Sequence, residues 1–130
     1  MKKWTGIVVS LILLITGLAY AKEYEIKKRA DNYDVKIKID RNPPVAGNNN
    51  IEVEIKDGNG KYVTDAKVKI EYSMPAMPGM PPTNYKADAE VEGNKYRATL
   101  NFSMTGSWNI LIKITRAEKT SRIKFNIDVS

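Results

Sequence analysis

The chain has no cysteine and no histidine among its 130 residues. Without cysteine there is no disulfide staple, no thiolate ligand, no thiol redox chemistry and no lipid-modified cysteine anchor. Without histidine the usual general base near neutral pH is gone, and with it most zinc sites and the familiar nucleophile–base pairs. Carboxylates remain, but they alternate with lysines along extended runs, and no pair stands apart as an acid–base couple. Enzymatic activity and a small-molecule substrate are not expected. Helical periodicity is also missing from everything after residue 21, which excludes helix bundles and α/β folds.

The formal net charge is +6, of which Lys2 and Lys3 supply two, leaving +4 on the chain after residue 21. The remaining cations are interleaved with acids, as in Lys36, Lys38, Glu52, Glu54 and Lys56. Such mixing describes a solvated sheet face, not a nucleic-acid footprint. Weak attraction to an anionic membrane or wall is the electrostatic role this balance leaves open.

The first 21 residues read as a targeting segment. Lys2 and Lys3 form a basic start, Gly6 to Leu18 a short apolar core, and Ala19-Tyr20-Ala21 fits cleavage after Ala21. A membrane span needs about 20 apolar residues, and this run is shorter. An exported protein is expected, periplasmic or otherwise extracytoplasmic, and anchored to the membrane if the segment is retained. A polar lead over residues 22–32 then precedes one domain over residues 33–130.

Within that domain apolar and polar residues alternate. Tyr33, Val35, Ile37 and Ile39 begin the series, followed by Ile51, Val53 and Ile55, then Ala66, Val68, Ile70 and Tyr72. Further sets run through Tyr85, Ala87, Ala89 and Val91, then Tyr96, Ala98, Leu100 and Phe102. Trp108, Ile110, Ile112 and Ile114, and then Ile123, Phe125, Ile127 and Val129, complete it. Each reads as a strand with one buried face, separated by turn residues such as Asp57-Gly58-Asn59-Gly60 and Glu92-Gly93-Asn94. Asn48-Asn49-Asn50 reads as part of a turn-forming loop. Seven short strands predict an all-β, seven-stranded antiparallel β-sandwich of immunoglobulin-like type. Strand parity puts the 42–50 loop, the 74–82 loop, the Met104-Thr105-Gly106 turn and the C-terminus at one pole, and plain hairpins at the other.

The 74–82 loop is unusual. Met74, Met77 and Met80 recur at three-residue spacing, each followed by proline, and only Met104 and the initiator bring the total to five. Register places Met74 in line with Val68, Ile70 and Tyr72, and Met104 in line with Leu100 and Phe102, so both are expected to close the top of the core. Met77 and Met80 lie beyond any strand. Prolines 75, 78, 81 and 82 bias the segment to polyproline II, which would spread the sulfurs along one edge about 9 Å apart. Gly79 permits a bend that would fold Met80 back toward Met77. Thioethers suit Cu(I) better than hard ions or zinc, and they bind without deprotonation in an oxidising compartment. The alternative is that the same loop serves as an apolar docking surface for another protein.

Two segments together resemble a known family. Ser73-Met74-Pro75-Ala76-Met77-Pro78-Gly79-Met80-Pro81-Pro82, with Gly93, Tyr96, Gly106 and Trp108 of the following hairpin, is similar to the YtkA-like domain family, related to FixH-like proteins. The likeness covers about residues 33 to 129. It implies a small exported immunoglobulin-like domain associated with copper or heavy-metal handling, working beside a cation-efflux or oxidase-assembly partner in the membrane. It implies Met74, Met77, Met80 and Met104 as the metal-binding positions. The chain departs from the pattern of many copper carriers in having no histidine.

Overall fold

The computed structural model describes residues 23–130; the targeting segment expected over residues 1–21 lies outside them. Eight strands follow one another: β1 (Tyr24–Ala30), β2 (Tyr33–Ile39), β3 (Gly47–Lys56), β4 (Lys67–Met74), β5 (Thr83–Glu92), β6 (Lys95–Phe102), β7 (Gly106–Arg116) and β8 (Lys119–Val129). All pairings are antiparallel, in the order β1-β2-β3-β6-β5-β4-β7-β8. The all-β antiparallel expectation holds, but the count of seven does not. The extra strand comes from the polar lead, where Tyr24, Ile26 and Ala30 face inward at every second position and pair with Ile39, Ile37 and Tyr33. Lys27, Lys28 and Arg29 hide that alternation, because Lys28 occupies an inward position at the sheet margin while remaining exposed.

The architecture also departs from two separate sheets. Strand β5 pairs with β4 through Thr83 to Ala89 and then with β6 through Glu90 to Glu92, so the eight strands form one continuous rolled sheet. The inward residues at that corner are small, Ala87 and Ala89, which lets the sheet turn sharply. At the opposite margin β1 and β8 approach without joining their backbones. There the Ser121 hydroxyl donates to the Asp31 carboxylate. The end of β8 is held by Ser130 N–H donating to the Pro44 carbonyl at 2.8 Å and Ala46 N–H donating to that of Ser130 at 3.2 Å. The sheet is a nearly closed barrel around one core.

That core holds Ile37, Ile39, Ile51, Ile55, Ile70 and Ile112, all fully buried. β-branched residues suit this half-buried pleated surface, and their period of two sets the register. Polar groups inside it are satisfied. Tyr96 Oη donates to the Val63 carbonyl at 2.9 Å and accepts from Ala66 N–H at 3.0 Å.

The asparagine run corrects a third expectation: Asn48, Asn49 and Asn50 belong to β3, not to a loop. Asn49 is 1% exposed. Its amide donates to the carbonyls of Val45 and Gly47 and accepts from Val45 N–H, while Asn50 Nδ2 donates to the Asp40 carboxylate. The Asn49 bonds are the local side-chain-to-backbone kind that the residue makes in turns, here made from the first residues of a strand.

Candidate functional site

Register places the expected pole. β4 ends at Met74 opposite Thr83, β6 ends at Phe102 opposite Gly47, and β7 begins at Gly106 opposite Val129. The loops at 40–46, 75–82 and 103–105 therefore gather at one end with the C-terminus, as parity predicts. β1 also starts there, since Tyr24 pairs with Ile39.

Beneath this pole four aromatic rings converge. Phe102 and Trp108 lie 5.2 Å apart between centroids, Tyr72 stacks on Tyr85 at 5.4 Å, and Tyr72 meets Phe102 edge-on at 5.6 Å. Trp108 is fully buried, and its indole N–H donates to the Met104 carbonyl at 3.0 Å. Trp108 thus anchors the core while its one polar atom is satisfied at the rim. Tyr72 Oη accepts from Asn101 N–H at 3.1 Å, bracing β4 against β6 across the core. The sequence places these rings on strands; their meeting at one pole depends on long-range pairing that no local pattern contains.

The four methionines divide on this floor. Met74 is 5% exposed and belongs to the core. A Cβ built on Gly106, which has φ +133°, would stand 2.7 Å from Met74 Cε, so the glycine leaves room for that methyl group. Met104 is half-buried against the same cluster. Both follow the inward register expected of them.

Met77 and Met80 are 41% and 40% exposed. The segment between them does not run straight as polyproline II. Met80 N–H donates to the Met77 carbonyl at 2.9 Å and Met77 N–H to the Met80 carbonyl at 3.3 Å, closing a two-residue hairpin. Pro78 takes the first central position and Gly79, at φ +82°, the second, the composition of a type II turn. Directly opposed residues of a hydrogen-bonded antiparallel pair have Cα atoms about 5.5 Å apart and side chains on one face. The turn therefore brings Met77 and Met80 together. Among the described residues no group of three His, Cys, Asp or Glu side chains is arranged to hold a metal ion.

A nearly closed antiparallel barrel with two exposed methionines in a turn at one pole defines the class: a small all-β domain. The chain belongs to the YtkA-like family, whose model matches residues 27–113. No curated protein matches it in sequence. Among solved structures it is similar to FetP from uropathogenic E. coli strain F11, recombinantly expressed in the periplasm of E. coli BL21(DE3) and crystallised "as isolated". The TM-score is 0.52 at 11% identity, over 82% of this chain and 95% of that one, a likeness of fold alone.

Proposed function

We propose that this protein is an exported accessory domain that holds Cu(I) between the thioethers of Met77 and Met80 and passes it to a membrane partner in copper or heavy-metal handling. The observation that supports this reading is the Pro78-Gly79 turn, which pairs the two exposed methionines across a hydrogen-bonded bridge. Thioether sulfur is soft and uncharged, and it favours Cu(I) over zinc, magnesium or calcium. Two protein ligands leave coordination open to a group from the recipient, which suits transfer better than storage. Met104 suits a third ligand better than Met74, since it is half-buried in a loop at the same pole while Met74 is taken up by the core. Membership of the YtkA-like family supports an extracytoplasmic setting, as does a shared fold with a protein produced in the periplasm.

A second reading rests on the same exposure. Met77 and Met80 are large apolar side chains in contact with water, flanked by exposed Pro75, Pro81 and Pro82, a surface suited to docking on a transporter or oxidase subunit without metal. Substitution by leucine separates the two, because leucine keeps the apolar surface and removes the sulfur. In a Cu(I) titration against a competing chelator, the native protein is expected to retain copper that Met77→Leu/Met80→Leu releases. Equal, negligible retention by both would sink the metal reading and leave the docking one.

A further inference from the structure

The two outer faces of the barrel differ in charge. On the β1-β2-β3-β6 side cations and acids are matched across strands. Arg29 meets Asp34 at 3.3 Å, Lys36 meets Glu54 at 3.5 Å, and Lys95 and Arg97 meet Glu52 at 3.2 and 3.1 Å. Neutralised rows of this kind suit a solvated surface.

The β5-β4-β7-β8 side is built otherwise. Register sets Asn84, Ser73, Asn109 and Asn126 side by side, one from each strand. At a strand spacing of roughly 4.8 Å, this uncharged row runs about 14 Å across the sheet. The next row is Lys86, Glu71, Leu111 and Lys124, and the one beyond is Asp88, Lys69, Lys113 and Arg122. Across these two rows cations outnumber acids, and among the described residues Lys113 with Glu71 at 2.6 Å is the ion pair they contain. An open depression of about 420 Å³ lies over the amide row and the first charged row. Asn84, Asn109, Asn126, Lys86 and Lys124 are all exposed. Whereas the Asn49 amide is consumed by the Val45 and Gly47 backbone beside it, these three exposed amides stay free to bond outward.

Each amide offers two donor hydrogens and a carbonyl acceptor, the mixed set that a hydroxyl-rich ligand presents in return. Unpaired lysines beside them attract carboxylate or phosphate. No outward-facing residue of the three rows is aromatic, so a single-stranded nucleic acid would find no stacking platform. A lipid surface would find one apolar group, Leu111, where membrane-lying faces carry several. An acidic polypeptide would use the lysines but leave the amide row idle.

We propose that this face binds an acidic polysaccharide, with Asn84, Asn109 and Asn126 engaging its hydroxyls and Lys86 and Lys124 its anionic groups. The surface is separate from the methionine hairpin, and its variants leave Met77 and Met80 untouched.

The test uses protein expressed from the full chain, with polygalacturonate as the probe and polyglutamate of matched charge and length as its comparator, both at low salt. Polygalacturonate is expected to bind at least about tenfold more tightly. Replacing two exposed cations, Lys86→Gln/Lys124→Gln, is expected to weaken it by up to about tenfold. Asn109→Ser/Asn126→Ser should weaken polygalacturonate binding while leaving polyglutamate binding unchanged. Lys36→Gln/Lys95→Gln, with the same charge change on the opposite face, should alter neither. Equal affinity for the two polymers would overturn the proposal, as would equal loss from the opposite-face variant or retention of neither polymer. Tighter binding to phosphatidylglycerol vesicles than to polygalacturonate would overturn it as well.

Discussion

At the scale of single residues, the hairpin depends on one glycine. Gly79 has φ +82° and open space around its Cα, so an added methyl group meets no neighbour and the cost is conformational alone. A left-handed backbone costs an L-residue about 1–2 kcal/mol. Gly79→Ala is therefore expected to loosen the Met77–Met80 bridge, weaken Cu(I) retention several-fold and barely move the thermal midpoint, because the loop lies outside the core. Calorimetry paired with the chelator competition checks both halves. A large loss of stability would mean that the hairpin supports the core; unchanged retention would mean that copper does not need the bridge. The mixed fate of the methionines also belongs at this scale. Period-two alternation assigns Met74 to the core from sequence alone, and the Pro78-Gly79 dipeptide is a local turn signal, so the pairing of Met77 with Met80 is legible once that signal is preferred over the polyproline bias.

At the scale of elements, two features make predictions. The β7–β8 hairpin turns through Ala117 and Glu118 at φ +51° and +65°, with no glycine or asparagine to ease the left-handed backbone. Turns of this geometry favour Asn-Gly. Ala117→Asn/Glu118→Gly is expected to stabilise the protein by about 1 kcal/mol in urea unfolding, offset partly by the freedom glycine gains in the unfolded chain.

Tyr96 fastens the 63–66 segment to β6 through its two hydrogen bonds. Burial is the largest influence on its phenol and raises its pKa above the ordinary value, outweighing the Ala66 N–H bond, which lowers it. The folded protein thus keeps the proton where the unfolded chain has begun to lose it. The resulting stability is fully present below the unfolded pKa near 10 and is lost as pH rises through the folded value. Stability should hold from neutral pH to about 10 and fall beyond it. Tyr96→Phe should cost about 1–3 kcal/mol at neutral pH, because Val63 C=O and Ala66 N–H lose their partner. The same variant should flatten part of the alkaline decline; an unchanged pH profile would show that Tyr96 does not carry it.

At the scale of the molecule, the sequence discloses what period-two alternation and turn chemistry can encode. Strands β2 to β8, the shared pole and the buried Trp108 are all readable from it. What it conceals is partly local and partly long-range. β1 is masked by three successive cations of its own, and the asparagines of β3 read as loop because such a run is a turn signal, although Asn49 spends its amide on the nearby Val45 and Gly47 backbone and Asn50 on Asp40. Whether the sheet divides in two or rolls into one depends on β5 changing partners at Ala89 and Glu90, a register event with no local signature. The aromatic floor and the amide row escape sequence reading for the same reason, since each assembles from four separate strands.

Copper binding at the hairpin is decided by which sulfurs meet the ion. Cu(I) is diamagnetic, so the methionine methyl groups can be followed individually by NMR after ¹³C-methyl labelling while the ion is added anaerobically. The Met77 and Met80 methyl resonances are expected to shift together and saturate at one equivalent, while Met74, held against Gly106, stays in place. Stationary Met77 and Met80 resonances under those conditions would contradict copper binding at the hairpin.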